Sequence, residues 1–301
     1  MQQTLRRTVN CAGIGLHSGK KVTLSLAPAP VGYGIRFRRV DLGGIEIPAH
    51  VSSLGSRQQL QTTLVNGAAS VETVEHLLSA LRGLGIDNAR IDLNHPEVPI
   101  MDGSSAPWVY LIQDAGIKVQ QAPRKTLQVL QQMSHQQGDK RIALYPFDGF
   151  KISYSITFDH PVVRNQQKTI EMNEAFFVDE IAPARTFGFL KEVEMLRQKG
   201  LALGGSLENA VVLGETGVLN PLRFEDEFVR HKILDVIGDL SLMGHAIQGH
   251  LVVHRGGHAL HTAFAEDVLR QTDAWQLVEL PSVEMLPGRE RVHAHARQIA
   301  S

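Results

Sequence analysis

One segment restricts the fold of this chain more than any other, an apolar run over residues 227–244 that carries polar side chains at regular intervals. His231, Asp235 and Asp239 recur at every fourth position, so a helix aligns them in one stripe. Apolar side chains fill most of the remaining circumference: Ile233, Leu234, Val236, Ile237 and Leu240. Burying an imidazole and two carboxylates is costly without partners, so this stripe needs an explanation beyond a solvated surface.

Two interpretations of this stripe stay open. A His and a carboxylate one helical turn apart are able to bind one metal ion. The same spacing is that of an ordinary ion pair on a solvated helix face, and the spacing by itself favours this second interpretation. The apolar neighbours are the observation against it.

The composition is that of an ordinary globular protein. The 301 residues are 43% hydrophobic and 20% charged, which is enough chain for two cores. The net charge of -1 gives no general attraction to nucleic acid or to an anionic membrane. A single cysteine, Cys11, allows no internal disulfide and no thiolate cage, so the ligands of any metal would be His and carboxylate.

The sequence also predicts where the protein works. The N-terminus has no apolar segment typical of a signal peptide, and no run approaches the about 20 apolar residues that a transmembrane helix needs. We therefore expect a cytoplasmic protein without a transmembrane segment, in which transient proximity to a membrane stays open. Nothing in the sequence calls for more than a monomer.

Strands and helices both occur, without strict alternation, and this predicts an α+β fold with a β-sheet and helices in each half. The first half contains a strand over 21–26, a helix over 70–85 with Ser70 as its cap, a strand over 88–93 and a helix over 108–114. The second half contains strands over 126–129, 141–145, 151–158, 209–213 and 249–254, and helices over 189–200 and 227–244. A break near 117–126 indicates domains over 1–120 and 126–280, followed by a polar, flexible tail over 281–301.

Other histidines and one acidic residue are weaker candidates. Glu75 and His76 are helix neighbours rotated by about 100°, so one could bind a metal while the other reaches a bound water. For an isolated Glu-His pair, a surface carboxylate beside a histidine at the edge of the core is the favoured explanation. His258 follows two glycines, which suits either a movable acid or a turn histidine without a role.

Two further patterns are set aside. The segment over 13–18 imitates a dinucleotide-binding fingerprint, but a strand follows where the fingerprint requires a helix. His293 and His295 lie in the predicted tail, where solvated histidines are the simpler interpretation.

Several segments in series closely resemble the zinc-dependent UDP-3-O-acyl-N-acetylglucosamine deacetylase family of lipid A biosynthesis. They are Gly13-Ile-Gly-Leu-His-Ser-Gly-Lys20, Ser70-Val-Glu-Thr-Val-Glu-His-Leu77, Gly83-Leu-Gly-Ile-Asp-Asn88, Pro99-Ile-Met-Asp-Gly-Ser104, Ala184-Arg-Thr-Phe-Gly-Phe189, the stretch over 222–239 and Gly257-His-Ala-Leu260. The resemblance implies two similar α+β domains with small inserts and an active site in the cleft between them. It also implies removal of an N-acetyl group from a UDP-sugar. The alternative is a catalytically silent protein that binds nucleotide-sugar and acyl chain, and an interaction role for the amphipathic segment over 189–200 has no support in the sequence.

The resemblance also implies roles for individual residues. The metal ligands would be His76, His231 and Asp235, holding Zn²⁺, with Fe²⁺ as an alternative in the cell. The catalytic residues would be the general base Glu75, the general acid His258, its carboxylate partner Asp239 and the oxyanion donor Thr186. A segment over 187–212 would form an acyl passage, and the substrate-binding residues would be Lys232, His17, Phe187, Leu196, Gly205, Ser206 and Val212. Ordinary core packing competes with a substrate role for each of the apolar ones.

The chain departs from the family pattern at two positions. Gln61 stands where members commonly carry Cys, so a thiol contribution to secondary metal binding is not expected. His261 stands where members often have Asn.

Overall fold

The structure is a computed structural model that describes residues 1–56, 58 and 60–279. The predicted tail over 281–301, with His293 and His295, lies outside the described residues. The strands are β1 Gln3–Leu5, β2 Val9–Ile14, β3 Lys21–Pro28, β4 Ile35–Arg39, β5 Ile45–Pro48, β6 Thr63–Asn66, β7 Ala69–Glu72, β8 Ala89–Leu93, β9 Ile117–Val119, β10 Lys125–Val129, β11 Met133–Gln137, β12 Lys140–Tyr145, β13 Phe150–Thr157, β14 Asn165–Glu171, β15 Phe187–Phe189, β16 Val211–Leu213, β17 Ala246–His254 and β18 Trp275–Glu279. The helices are α1 Glu75–Gly83, α2 Ala106–Ala115, α3 Glu174–Phe176, α4 Leu190–Gln198, α5 Glu227–Leu240 and α6 His258–Arg270.

The first half of the chain forms a five-stranded sheet in the order β2-β3-β8-β4-β5. Strand β3 shows why these residues fold as they do, because Val22, Leu24 and Leu26 are buried in the core while the alternating Lys21 and Thr23 are exposed. Helix α2 packs on α1 and on β2. This half therefore combines a five-stranded sheet with two helices and with the two-stranded pairs β6-β7 and β1-β9.

The second half forms a seven-stranded sheet around the long strand β17. The start of β17 pairs in parallel with β10, and its later residues pair with β12 on one side and β13 on the other. Helix α5 packs on β13 and β14, whereas α6 packs on α5, β11 and β12. The predicted α+β class, with a sheet and helices in each half, is confirmed.

Helix α1 begins later than predicted. Ser70 does not cap it but lies in β7, which pairs with β6, and the helix starts at Glu75 without a side-chain cap. Between the two elements the chain turns at Thr73, which has a positive φ of 57°. Ser70 and Glu72 belong to this short strand, so the prediction of a first helical turn at these residues is wrong.

Helix α5 confirms the strongest helical prediction, apart from its last turn. The α-helix ends at Leu240, and residues 241–243 form a 3-10 turn before Gly244 takes a left-handed conformation with φ of 79°. All but one residue of α5 is buried, the exception being Lys232. The polar stripe therefore does not face solvent.

Two features differ from the sequence-based expectations. His258 is not in a turn but is the first residue of α6, a helix that the two preceding glycines obscured. The break near 117–126 begins with β9, which pairs with β1 and ties the N-terminus to this region. The domain limits themselves stay predictions.

The predicted insert over 187–212 has its own small structure. Strands β15 and β16 pair in parallel and α4 connects them, which confirms the amphipathic helix there. None of the nine residues of α4 is fully buried. Among the described residues, no helix has the length and apolar character required to cross a membrane.

Candidate active site

The three sequence-predicted metal ligands lie together although they come from different halves of the chain. His76 lies in the first turn of α1, and His231 and Asp235 lie one turn apart on α5. Oδ1 of Asp235 is 3.6 Å from Nε2 of His76 and 3.2 Å from Nε2 of His231. The two imidazole rings meet edge to face with centroids 4.9 Å apart. One ligand atom from each residue lies within 4.8 Å of the others, which is a spacing that one metal ion can bridge.

The hydrogen bonding of these residues fits a metal ion. His231 Nδ1 donates to the carbonyl oxygen of Ala184 at 3.0 Å, which fixes the ring so that its Nε2 faces the other candidate ligands. Oδ1 of Asp235 is buried and accepts no hydrogen bond from the described residues. A buried carboxylate oxygen without a donor is costly, and a cation between it and two imidazoles removes that cost. Two nitrogens and one oxygen are the ligand set of many catalytic zinc sites.

Neighbouring side chains keep the carboxyl group of Asp235 ionised. Burial alone would raise its pKa, but His231 and Lys232 hold the pKa of Asp235 well below its usual range. Lys232 Nζ donates to the second oxygen, Oδ2, at 2.7 Å. The carboxylate is therefore ionised and ready to bind a cation.

Glu75 lies at the start of α1, beside His76, and is almost fully buried. Its Oε2 accepts a hydrogen bond from the backbone N–H of Thr62 at 3.0 Å, and its Oε1 is 3.8 Å from Nε2 of His258. Burial raises the pKa of Glu75. A carboxylate with a raised pKa next to a metal site has the properties of a general base.

A residue with strained backbone lies two positions before Glu75. Thr73 has a φ of 57°, which is rare for a β-branched residue. Its hydroxyl donates to Gln61 Oε1 at 3.0 Å and lies 3.3 Å from Glu97 Oε1. Gln61 therefore has a structural contact at the position where the family pattern has Cys. Such strain persists only where neighbours enforce it, and it is commonest at functional sites.

Asp239 connects three side chains within the core. Its Oδ2 accepts hydrogen bonds from Nδ1 of His258 at 2.9 Å and from Nδ1 of His261 at 2.8 Å. Its Oδ1 accepts one from the Thr62 hydroxyl at 2.5 Å. His258 and then His261 overcome the effect of burial and lower the pKa of Asp239 below its usual range.

The pairing with Asp239 also changes the pKa of His258. Burial alone would lower its pKa, but Asp239 and then Glu75 outweigh it and raise the pKa of His258 to about 9. Its Nε2 points toward Glu75 and lies 3.9 Å from Asp235 Oδ2. The structure thus brings His258 to the candidate ligands as a charged proton donor.

Thr186 and Lys232 lie on the second-half side of this cluster. Thr186 lies two residues after Ala184, whose carbonyl oxygen accepts from His231. The backbone N–H of Thr186 donates to the carbonyl oxygen of Gly103, and its carbonyl oxygen accepts from the N–H of Val211. The ammonium of Lys232 lies over the ring of Phe187, 5.5 Å from the centroid. The same ammonium forms the ion pair with Asp235, so Lys232 contacts both the candidate ligand and the ring of Phe187.

His17 lies at the junction between the first half and the insert. Its carbonyl oxygen accepts from Leu203 N at 3.1 Å, and its Nδ1 lies 3.4 Å from Ala202 N. Its Nε2 is buried without a hydrogen-bond partner among the described residues. Burial also lowers the pKa of His17, so the ring is neutral at pH 7.

The remaining predicted substrate residues belong to the insert. Phe187 lies in β15, with its ring 6.4 Å from that of His231, and Val212 lies in β16. Leu196 is half-buried on α4, Gly205 is half-buried in the following turn, and Ser206 is exposed. Phe187 therefore borders the candidate metal site, whereas the other four lie along the insert.

Two contacts of the site had no sequence signal. Thr62 contacts both Glu75 and Asp239, yet it lies in a segment without periodicity. Tyr154 binds His261 through its hydroxyl at 3.0 Å, and nothing in a regular strand sequence marks that partner. His261 itself was visible only as a departure from the family pattern.

Comparison with known proteins gives a consistent result. The LpxC family model, described as UDP-3-O-acyl N-acetylglycosamine deacetylase, matches residues 2–270. A UDP-3-O-acyl-N-acetylglucosamine deacetylase from Pseudomonas entomophila (strain L48) is 50% identical over 291 residues, covering 95% of this chain and 96% of the relative. The proteins of that name from Cellvibrio japonicus (strain Ueda107) and Teredinibacter turnerae (strain ATCC 39867 / T7901) are 50% and 48% identical over the same shares.

Proposed function

This chain belongs to the UDP-3-O-acyl N-acetylglycosamine deacetylase family, and on that premise we propose that it removes the N-acetyl group of UDP-3-O-acyl-N-acetylglucosamine. The products are acetate and UDP-3-O-acyl-glucosamine, in an early committed step of lipid A biosynthesis. One observation supports this most directly. Two imidazoles and one aspartate converge beside a buried glutamate and a charged histidine, and Asp235 Oδ1 has no donor within the part of the chain that the structure describes.

The metal is proposed to be Zn²⁺, held by His76, His231 and Asp235, with Fe²⁺ as the alternative in the cell. A zinc ion supplies Lewis acidity and lowers the pKa of bound water from 15.7 to about 7. The nitrogen and oxygen donors suit either ion, so the ligand set alone supports a divalent metal and not one identity.

Glu75 is proposed as the general base. Its raised pKa makes it a better proton acceptor than an ordinary glutamate, and the Thr62 N–H fixes one oxygen so that Oε1 faces the site. In the reaction it takes a proton from the water that adds to the acetyl carbonyl. Thr186 is proposed to donate its hydroxyl to the negative charge that develops on the carbonyl oxygen.

His258 is proposed as the general acid. Asp239 accepts from its Nδ1, so the Nε2 proton is the one that faces Glu75 and the substrate space. An amide nitrogen leaves poorly unless it gains a proton, and His258 provides that proton to the sugar amine. The pairing with Asp239 keeps the imidazole charged until the transfer.

Substrate binding is proposed to use both sides of the cluster. Lys232 and His17 lie where they could contact the polar part of the substrate. The apolar side chains of the insert, Phe187, Leu196 and Val212, with Gly205 and Ser206 in its turn, would contact the acyl chain. Exposed apolar side chains on the insert support this role: Leu190, Met195, Leu203 and Leu207. A monomeric state and a cytoplasmic location stay predictions from the sequence.

The proposal is tested by acetate release from UDP-3-O-acyl-N-acetylglucosamine. We expect turnover by the purified protein, its loss after chelation, and its return when Zn²⁺ is added back. Metal analysis of protein purified without oxygen distinguishes zinc from iron. Undiminished activity in a rigorously metal-free sample would contradict the metal-dependent mechanism, and substrate binding without turnover would favour the catalytically silent alternative.

A further inference from the structure

A buried chain of hydrogen bonds extends behind His258, away from the candidate metal site. Asp239 Oδ2 accepts from His258 and also from Nδ1 of His261, and Nε2 of His261 lies 3.0 Å from the Tyr154 hydroxyl. His261 and Asp239 are 0% exposed and Tyr154 is 1% exposed. We infer that His261, oriented by Tyr154, is a positioning residue that fixes Asp239 and through it the orientation of His258.

The chemistry of the acceptor determines the direction of every bond in this chain. An ionised carboxylate only accepts hydrogen bonds, so His258 and His261 must both carry a proton on Nδ1. A neutral His261 then has a lone pair on Nε2, and the Tyr154 hydroxyl donates to it. Burial raises the pKa of Tyr154 and lowers the pKa of His261, so both are neutral and able to form this bond. With His261 neutral, one set of proton positions gives every polar atom in this series of hydrogen bonds a partner: Nδ1–H of His261 donates to Asp239, and the Tyr154 hydroxyl donates to Nε2.

The backbone at Gly256 encloses the junction between His261 and Tyr154. A β-carbon at this position would come within 2.5 Å of His261 Nε2 and 2.6 Å of the Tyr154 hydroxyl oxygen. The glycine is therefore needed for space, and its backbone packs directly against the hydrogen bond. Such enclosure leaves little freedom for either side chain.

The inference rests on the proposed function of His258 as the general acid. Asp239 has three donors, Thr62 on one oxygen and the two imidazoles on the other. Without His261, Oδ2 loses one of its two donors and the carboxylate gains freedom to rotate. His258 would then lose the fixed partner that points its Nε2 toward Glu75.

The kinetic test compares three single variants and one double variant, each normalised to its metal-bound fraction. We expect His261→Leu to lower kcat about tenfold with KM within about twofold, the usual scale for losing a hydrogen-bond partner one step removed from the reaction. His261→Asn keeps a donor for Asp239, so it should recover most of the rate. Tyr154→Phe should give a smaller loss, and its combination with His261→Leu should cost no more than His261→Leu alone.

A matched control separates positioning from general stability. His135 also donates from Nδ1 to a carboxylate, that of Asp267 on α6, but this pair has no contact with Asp239. His135→Leu should leave kcat unchanged. If His261→Leu lowers only the unfolding temperature and retains the wild-type kcat, the positioning role is wrong.

A second measurement is independent of activity. Nitrogen-15 spectra of histidine-labelled protein, assigned with the His261 variants, report which ring nitrogen carries the proton. We expect the Nδ1–H form for His261 in the wild type, and a shift of its Nε2 resonance in Tyr154→Phe. Finding the Nε2–H form would overturn the inference even if acetate release proceeds. A failure of the wild type to release acetate would instead contradict the proposed function. It would not affect the hydrogen-bond assignment for His261 and Tyr154, which the spectra test separately.

Discussion

The α-carbon of Gly238 lies against the carbonyl oxygen of Glu75, so closely that a β-carbon at position 238 would be 2.1 Å from that oxygen. This contact joins α5 to α1 at the level of the candidate site. It places Glu75 and His76 opposite the stripe of His231 and Asp235. The close approach of the two helices is therefore what brings together the candidate ligands from the two halves of the chain.

Replacing this glycine should be destabilising in spite of its helical position. Alanine has a higher helix propensity than glycine, and at a helical position with free space the substitution would stabilise the protein by about 1 kcal/mol. At Gly238 the added methyl group meets backbone that cannot rotate away, and overpacking of this kind costs about 1–3 kcal/mol. We expect Gly238→Ala to lower the unfolding temperature and the metal content. Gly217→Ala, with nothing within 4 Å of the added carbon, is the control. Equal behaviour of the two variants would show that the helix contact does not limit stability.

Asp235→Asn should remove most of the metal. The substitution keeps the shape but replaces the ionised oxygen between the two imidazoles with a neutral group. The loss of affinity should exceed the about 10–100-fold that removal of a hydrogen-bond partner to a ligand costs. Metal content after dialysis against a weak chelator measures it. Asp267→Asn changes another carboxylate that pairs with a histidine, outside the site, and should retain its metal. Full metal content in Asp235→Asn would exclude this residue as a ligand.

Glu75→Gln should separate metal binding from catalysis. The amide oxygen can still accept from Thr62 N, so the local structure should persist, but the side chain no longer takes up a proton. We expect normal metal content and a kcat lower by about 10²–10⁴-fold, the contribution typical of a general base. Normal hydrolysis by this variant would show that the base lies elsewhere.

The sequence predicts α5 and β3 well because each carries one clear period, 3.6 residues in the helix and 2 in the strand. It fails at β4, where Arg38 lies within the strand. The structure explains this arginine by a paired contact with Asp92 on β8, which no local pattern contains. Charged strand residues are therefore predictable only once their partner strand is known.

The same limit applies to the site. The stripe on α5 raises the question of its partners, but spacing alone leaves an ion pair and a metal ligand open. The choice between these two roles depends on α1, which no pattern in the sequence links to α5. It also depends on Thr62, which is 177 positions from the Asp239 that it contacts. Contacts of this kind arise from tertiary packing. The resemblance to a family supplied the roles expected of Glu75 and His76, whereas the contacts of Thr62 were not predicted at all.

The pairing of His258 with Asp239 predicts a pH effect in protein freed of divalent metal by chelation. A histidine is ordinarily half-protonated near pH 6.5, and here its pKa is about 9 in the folded protein. Because the folded state holds the proton more tightly, this group stabilises the fold fully below about pH 6.5, and its contribution is lost as the pH rises through about 9. Urea unfolding of wild type and His258→Gln across this window measures the difference. Parallel curves for the two proteins would show that the imidazole is not paired as described.

The insert offers a test of how the acyl chain is recognised. Leu196 is half-buried on α4, and each methylene that an acyl chain buries against such a surface contributes about 0.8 kcal/mol. Leu196→Asp should therefore lower kcat/KM for a long-chain substrate by about tenfold or more, since losing two buried methylenes already has that effect. It should leave a substrate with a short acyl group nearly unaffected. Leu130→Asp, at an exposed apolar position outside the insert, is the matched control. An equal loss with both substrates would mean that the insert supports the fold of the site and does not bind the chain.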